Sequence, residues 1–169
     1  GDITHVEGKI DPVADADTVD TELMLADLDS LEKRIVPLEK KAKNGDKEAI
    51  ALAAIMNKAL VLLREGKPAR LAKIEPDEQS AFEQLGLITS KPVLYVANVD
   101  EASAATGNAF SARVQEKAKA EGAECVVFSA RIESEIAVLP PEERADFLEA
   151  VGLPEAGLDR MIRAGYALL

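Results

Sequence analysis

The sequence predicts a helix-rich α/β protein in which an antiparallel helical hairpin precedes the strands of a parallel sheet. Two consecutive helical heptad patterns, joined by a short turn, predict the hairpin as a small coiled coil. Further along, two short apolar runs, separated by a helix-forming segment, predict two strands. Strand, helix and strand in succession indicate a parallel pair with a right-handed crossover.

The composition fits one globular domain, or one domain with an appendage. The 169 residues are 47% hydrophobic but only 4% aromatic, so aliphatic side chains must fill the core. The single cysteine, Cys125, excludes an internal disulfide and favours a reducing compartment. The sequence has no apolar run of about 18 residues and no signal-peptide pattern at its start. We therefore expect a cytoplasmic protein that does not enter the membrane.

Charge is unevenly distributed along a chain whose net charge is −11. Residues 1–30 are strongly acidic, whereas residues 31–73 carry eleven Lys and Arg against five acids. A basic segment within an acidic protein is the one compositional sign of a polyanionic partner. The alternative is an ordinary solvated helix face.

Residues 1–17 show no periodicity and are predicted to form a loop. From residue 18 the apolar residues alternate at spacings of three and four, which is the pattern of a helix that packs along one side. This first pattern consists of Met24, Leu28, Leu31, Ile35, Leu38 and Ala42. The turn Asn44-Gly45-Asp46 ends the first helix and caps the second. The second pattern consists of Ala49, Leu52, Met56, Ala59 and Leu63. The predicted hairpin therefore covers residues 18–66.

Residues 67–169 are predicted to contain both strands and the remaining helices. The strands are Val93–Val96 and Cys125–Phe128, and Asn108 is expected to cap the helix between them. Further helices are predicted to begin near Pro76, Pro140 and Gly157. Because both strands are almost wholly apolar, we expect each to be covered on both faces. Two strands alone cannot supply that cover, so the sequence is interpreted as a fragment of a larger domain.

Polar or small residues follow both strands at the same end. Asn98 and Glu101 follow the first strand, and Ser129 and Ala130 follow the second. Ligands bind at this edge in open parallel sheets. An amide and a carboxylate three residues apart can recognise the edge of a purine, although Asn98 could also serve a plain turn. A carboxylate can accept hydrogen bonds from two N–H donors of guanine. Lengthening Asp to Glu moves the carboxylate by about one methylene, which is enough to spoil this two-bond match.

Five segments resemble the YchF / Obg-like ATPase family, in order along nearly the whole chain. Residues 2–12 and 20–29 are similar to the region after the family's third GTPase motif. Lys91-Pro-Val-Leu-Tyr-Val-Ala-Asn-Val-Asp-Glu101 resembles its altered fourth motif, and Ser129-Ala-Arg-Ile-Glu-Ser-Glu-Ile136 its fifth. Residues 158–169 resemble the helix that leads into the family's TGS domain. The resemblance implies the C-terminal part of a P-loop NTPase domain (G domain) into which the hairpin is inserted.

The resemblance also implies a purine-nucleotide site that accepts ATP at least as well as GTP. Val99 and Glu101 stand where typical GTPases have Lys and Asp, and both departures are those of the family. On this basis Asn98 and Glu101 contact the base or position the loop, and Val99 packs against the purine plane. Ser129 and Ala130 bracket the base from the second loop.

The phosphate-binding part of such a site is missing from the sequence. No Gly-x-x-x-x-Gly-Lys-Ser/Thr run occurs, so the amide cradle, the lysine and the Mg²⁺-binding hydroxyl are absent. The full-length protein is expected to hydrolyse ATP (or GTP) with Mg²⁺. This chain is expected to be inactive, to hold no nucleotide firmly and to form no metal site. His5 is a candidate to orient the attacking water in the full-length protein, or else a surface histidine.

The resemblance implies association with ribosomes, and we expect no sequence-specific DNA binding. The basic flank of the hairpin could approach ribosomal RNA through Lys33, Arg34, Lys40, Lys41, Lys43 and Lys47. Two other interpretations stay open. One is a stand-alone acidic helical adaptor that binds protein partners and no nucleotide. The other is a pseudo-enzyme whose base pocket serves as a sensor.

Overall fold

The computed structural model describes residues 11–169, which form two compact units that divide between Lys91 and Pro92. The first unit is helical. Its elements are α1 (Pro12–Lys43), α2 (Lys47–Arg64), a 3-10 turn (Ala69–Leu71), α3 (Gln79–Gln84) and a second 3-10 turn (Ile88–Ser90). None of the helices within residues 11–169 combines the length and apolarity needed to cross a membrane.

Helix α1 begins earlier than the sequence analysis predicted. Asp11 precedes the helix, and its side chain accepts a hydrogen bond from the Ala14 amide at 3.2 Å. Pro12 occupies the first helical turn, where its missing N–H has no cost. An acid followed by proline is thus a start signal that outweighs the irregular pattern around it. The predicted loop is corrected at residues 12–17, and the rest of it, residues 1–10, lies outside the described residues.

The first unit has one core, built around the packing of α1 against α2. Leu31 and Ile35 of α1 are buried together with five α2 residues and the side chains that follow them. That cluster also includes Ile55, Met56, Ala59, Leu60, Leu63, Ala69, Phe82, Leu85 and Leu87. Because residues beyond 66 fill the same core as the helices, the first compact unit extends past residue 66 to residue 91.

A buried carboxylate ties the end of the first unit to α1. Asp27 is only 3% exposed. Its two oxygens accept hydrogen bonds from the Ile88 amide at 2.8 Å and from the Thr89 amide and hydroxyl, both at 2.7 Å. The Thr89 hydroxyl oxygen accepts in turn from the Ala69 amide at 3.0 Å. Buried polar groups are costly unless satisfied, so Asp27 fixes where residues 69–89 return to the helix pair.

Replacing Asp27 should therefore destabilise the first unit strongly. Asp27→Ala leaves two amides and a hydroxyl without their acceptor, and we expect a loss of about 3 kcal/mol in the free energy of unfolding. Asp27→Asn keeps one oxygen and should lose about half as much. Urea unfolding followed by circular dichroism measures both.

Asp29→Asn is the matched control, because Asp29 is 66% exposed and pairs with Lys33 one turn away. An exposed pair of this kind contributes about 0.5 kcal/mol or less. Equal losses for the Asp27 and Asp29 variants would contradict the assignment.

The second unit contains a two-stranded parallel sheet and four helices. The strands are β1 (Leu94–Asn98) and β2 (Glu124–Phe128). After β1 come a 3-10 turn (Glu101–Ser103) and α4 (Ala109–Ala120); after β2 come α5 (Ala130–Ala137), α6 (Pro141–Ala150) and α7 (Gly157–Ala167). The register runs from Leu94 opposite Glu124 to Asn98 opposite Phe128. The parallel pair is therefore confirmed, and α4 is capped by Asn108 as predicted.

Burial of the strands is less complete than their apolar composition predicted. Ala97, Val126 and Val127 are buried, but Val96 is 42% exposed. Within residues 11–169 the sheet is thus covered only in part, in keeping with the expectation that two strands alone cannot supply full cover. Cys125 of β2 is half-buried, and this burial raises the pKa of its thiol above the ordinary value.

Helix α7 is attached to the sheet region by two side chains. The Glu133 carboxylate accepts hydrogen bonds from the amides of Gly157 at 2.6 Å and Leu158 at 3.3 Å, which are free amides at the start of the helix. One turn later, Arg160 donates to the carbonyl of Val127 in β2 at 2.7 Å. Residue 157 can approach this closely because it is glycine: an added Cβ would lie 2.7 Å from Glu133 Oε1.

Candidate functional site

An open cleft of about 640 Å³ lies where β1 and β2 end. Two loops line it, one following each strand. The lining residues are Asn98, Val99, Asp100, Glu101, Ala102, Ser129, Ala130 and Arg131. All five residues predicted for base binding therefore meet at one cleft. His5, the sixth predicted site residue, lies outside the described residues.

Asn98 joins the two loops. Its Oδ1 accepts a hydrogen bond from the Ala130 amide at 3.0 Å, and the Val99 amide donates to the Phe128 carbonyl at 2.9 Å. The oxygen of the Asn98 amide must face Ala130, because only an acceptor can pair with an N–H group there. Its Nδ2 therefore keeps two donors, and none of the described residues accepts from them.

Val99 and Ser129 contribute less surface to the cleft than the sequence analysis predicted. Val99 is 7% exposed and Ser129 is 2% exposed. The Ser129 hydroxyl caps α5 by accepting from the Ile132 amide at 3.4 Å. The small exposed side chains at the cleft are instead Ala102 and Ala130. They leave room for a flat ligand to approach the backbone.

The charged side chains of the cleft are engaged with neighbouring groups. Asp100 accepts a hydrogen bond from the Ser103 amide at 2.8 Å and so shapes the turn after β1. Glu101 forms an ion pair with Arg131, whose Nε lies 2.5 Å from Glu101 Oε1. Arg131 also lies 4.0 Å from Glu135, one turn along α5. The Glu101–Arg131 pair links the two loops a second time.

Sequence reasoning missed Arg131 because it missed α5. The structure begins that helix at Ala130, which places Arg131 in its first turn, beside the cleft. The available signal was Ser129 as an N-cap residue followed by an acid, Glu133, in the first turn of the helix. The sequence analysis assigned Ser129 to a ligand-binding loop and did not consider it as a helix cap.

The cleft offers hydrogen-bonding groups suited to a planar heterocycle. The Asn98 amide donates, Glu101 retains one oxygen outside the ion pair, and the Arg131 guanidinium has N–H groups besides Nε. The cleft carries two carboxylates and one arginine, and its net negative charge disfavours phosphate groups. The arrangement fits the base of a nucleotide better than its anionic tail.

The basic flank of the helix pair is smaller than its sequence suggests. Arg34 is half-buried and donates to the Leu85 carbonyl at 2.7 Å. Lys33 pairs with Asp29 at 2.8 Å. The side chains that stay exposed at the turn between α1 and α2 are Lys40, Lys41, Lys43 and Lys47. Arg34 is thus engaged within its own unit, whereas Lys33 stays exposed and forms a surface pair with Asp29.

Comparison with known proteins gives close matches over the whole chain, although no family model matches it. The chain is 47% identical over 169 residues to a protein of Bacillus subtilis named ribosome-binding ATPase YchF. Proteins of the same name from Haemophilus influenzae and Escherichia coli O157:H7 are 48% identical over 168 residues and 42% identical over 167. The resemblance to the YchF proteins is confirmed.

The chain spans about half the length of the YchF relatives it matches. Each alignment covers 99% of this chain and 46% of the relative. Both loops of the cleft therefore fall inside the aligned region, as do the two helices of the first unit.

The hydrogen bond between Asn98 and Ala130 should control the order of the second loop. Asn98→Ala removes the acceptor of the Ala130 amide, and water replaces it only in part. We expect a local loss of about 1 kcal/mol, which corresponds to roughly fivefold faster hydrogen exchange at Ala130. Nuclear magnetic resonance of the amide protons measures this exchange rate.

Asn98→Asp is the matched variant, because it keeps an oxygen at the position that faces Ala130. Exchange at Ala130 should stay close to the rate of the unmodified chain. An Ala130 exchange rate that is the same in all three proteins would show that the bond does not hold the loop.

Proposed function

We propose that the second unit, residues 92–169, supplies the base-recognition part of an ATP-binding, YchF-like P-loop NTPase. The observation that carries the proposal is the cleft between the two loops, in which Asn98 fixes the loops through its oxygen and presents its nitrogen to a ligand. The YchF relatives bear the name ATPase, which supports ATP as the nucleotide.

The proposed contacts follow from the groups that the cleft offers. Asn98 Nδ2 donates to a ring nitrogen of the purine, such as N7. Ala102 and Ala130 flank the ring and leave it room, while buried Val99 supports the loop from below. Glu101 discriminates between bases at the edge that carries the exocyclic groups. In these roles Asn98 both positions the loop and contacts the base.

Hydrolysis belongs, in this proposal, to the full-length protein and not to this chain. A P-loop supplies Mg²⁺ binding and the contacts to the phosphates, and the sequence contains none. His5 is proposed to orient the attacking water there. GTP is a weaker alternative substrate.

The helix pair of the first unit is proposed to be the hairpin inserted into that NTPase domain and to contact the ribosome. The name of the relatives supports a ribosomal partner, and with it a cytoplasmic location. Lys40, Lys41, Lys43 and Lys47 are exposed within a few residues of each other at the turn. Lys40, Lys41 and Lys43 also stabilise the C-terminal end of α1, whatever their partner.

A nucleotide titration of the 169-residue chain tests the base site. We expect AMP, ADP and ATP to bind with similar, millimolar dissociation constants, because the cleft contacts the base and not the phosphates. Amide resonances of Asn98, Ala102 and Ala130 should shift in ¹H–¹⁵N spectra. UMP, which lacks the purine ring, is the control ligand.

Asn98→Asp removes the Nδ2 donor while keeping the loop closed, so it should weaken AMP binding severalfold. Absence of shifts at the cleft with every purine nucleotide, up to about 20 mM, would reject the base site and favour the adaptor interpretation.

Ribosome sedimentation tests the role of the lysines. Changing Lys40, Lys41 and Lys43 to Glu should reduce the amount of chain that pellets with ribosomes. It should also make binding less sensitive to salt, because fewer counterions are released from the RNA.

The control changes Lys73, Lys91 and Lys119 to Glu, which alters net charge equally at exposed positions away from the turn. Equal loss of binding in both triple variants would attribute the effect to net charge and reject a local contact at the turn.

A further inference from the structure

We propose that Arg131 determines which base the cleft accepts, by placing guanidinium donors beside the Glu101 carboxylate. Adenine is then favoured and guanine disfavoured. The inference rests on the proposed base site. It assigns the selectivity for adenine to Arg131, which lies outside the two altered positions of the fourth motif, Val99 and Glu101.

The geometry joins two residues that are 30 positions apart in the sequence. Glu101 stands in the turn after β1, and Arg131 stands in the first turn of α5. Both line the cleft, and their side chains meet at 2.5 Å. The bond between Asn98 and Ala130 holds the neighbouring backbone of both loops together. The ion pair therefore forms at a defined place beside any base bound in the cleft.

An unpaired carboxylate at this position would suit guanine. Its two oxygens can accept the adjacent N1–H and N2–H donors of guanine at the same time. With the Arg131 guanidinium beside Oε1, this double contact is disfavoured, because cationic N–H groups lie next to the N–H donors of guanine and repel them.

The same pair suits adenine. Adenine presents one amino donor beside one acceptor, the N1 ring nitrogen. Glu101 Oε2 can accept from the 6-amino group while a terminal N–H of Arg131 donates to N1, since guanidinium carries five donors in a fixed fork. The discrimination then comes from the pair, and the extra methylene of Glu serves to reach Arg131.

The pair is also open to solvent, with 78% of the Arg131 side chain and 44% of the Glu101 side chain exposed. Exposed ion pairs weaken as salt screens them. Selectivity for adenine should therefore decline as ionic strength rises, whereas a steric mechanism would leave it unchanged. Glu135, at 4.0 Å from Arg131, is the competing acceptor.

The test compares AMP and GMP titrations of the 169-residue chain and its variants by ¹H–¹⁵N spectra. Because both ligands carry the same phosphate, the ratio of their dissociation constants cancels any general effect of charge. Arg131→Gln should lower the preference for AMP by about three- to tenfold, chiefly through tighter GMP binding. Arg131→Lys keeps the charge without the fork and should fall between. Glu135→Gln, which removes the competing negative charge, should keep or raise the preference.

Lys119→Gln is the control, since Lys119 is exposed on α4 and does not line the cleft. An unchanged ratio in Arg131→Gln, with AMP still shifting Asn98 and Ala130, would overturn the role of Arg131 and leave the base site standing. An unmodified chain that binds neither nucleotide would overturn the base site, and the inference with it. A ratio that does not vary between low and high salt would also count against the ion pair.

Discussion

The parallel register of β1 and β2 is the constraint on which the cleft depends. Asn98 lies opposite Phe128, so both strands end at the same level and their loops leave the sheet side by side. The Val99–Phe128 hydrogen bond extends the ladder by one step beyond the strands. A slip of one residue would turn every side chain to the other face and separate the Asn98 amide from Ala130. Because burial of Ala97 and Val126 fixes the register, it also fixes the position of the Asn98 side chain.

Polar side chains in both units hold together segments that are far apart in the sequence. Asp27 binds residues 61 and 62 positions further on, and Asn98 binds a residue 32 positions away. Breaking the Asp27 contacts costs more than breaking the Asn98 contact, since Asp27 is buried and Asn98 is exposed. The first contact is therefore part of the stability of its unit. The second is cheap to break, so the two loops can separate without unfolding their unit.

Local patterns predicted the elements better than their limits and partners. The apolar spacing of Leu31 and Ile35 and the β-branched runs were sufficient to place the two long helices and both strands. The Asp11-Pro12 start was missed because no periodicity accompanies it. The inclusion of residues 67–91 in the first unit depends on Asp27, a charged residue that a pattern assigns to the surface. No local signal reveals a carboxylate whose partners lie about sixty residues away.

The candidate site was predictable to the same extent. Asn98, Glu101, Ser129 and Ala130 were placed together because parallel strands bring their C-terminal ends to one edge. What each side chain does there was less accessible. Ser129 caps a helix, and Val99 is buried. Arg131 joins the site only because α5 begins at Ala130, which depends on a cap and not on an apolar pattern.

Gly157 has a consequence for how this part of the chain can vary. Its φ angle is not in the left-handed region, so conformation does not demand glycine there. The demand is spatial: a Cβ would lie 2.7 Å from both Glu133 Oε1 and Phe128 Cβ. Substitution at residue 157 must displace either a strand residue or the carboxylate that caps α7. Residues 128, 133 and 157 are therefore expected to change together, if at all, during divergence.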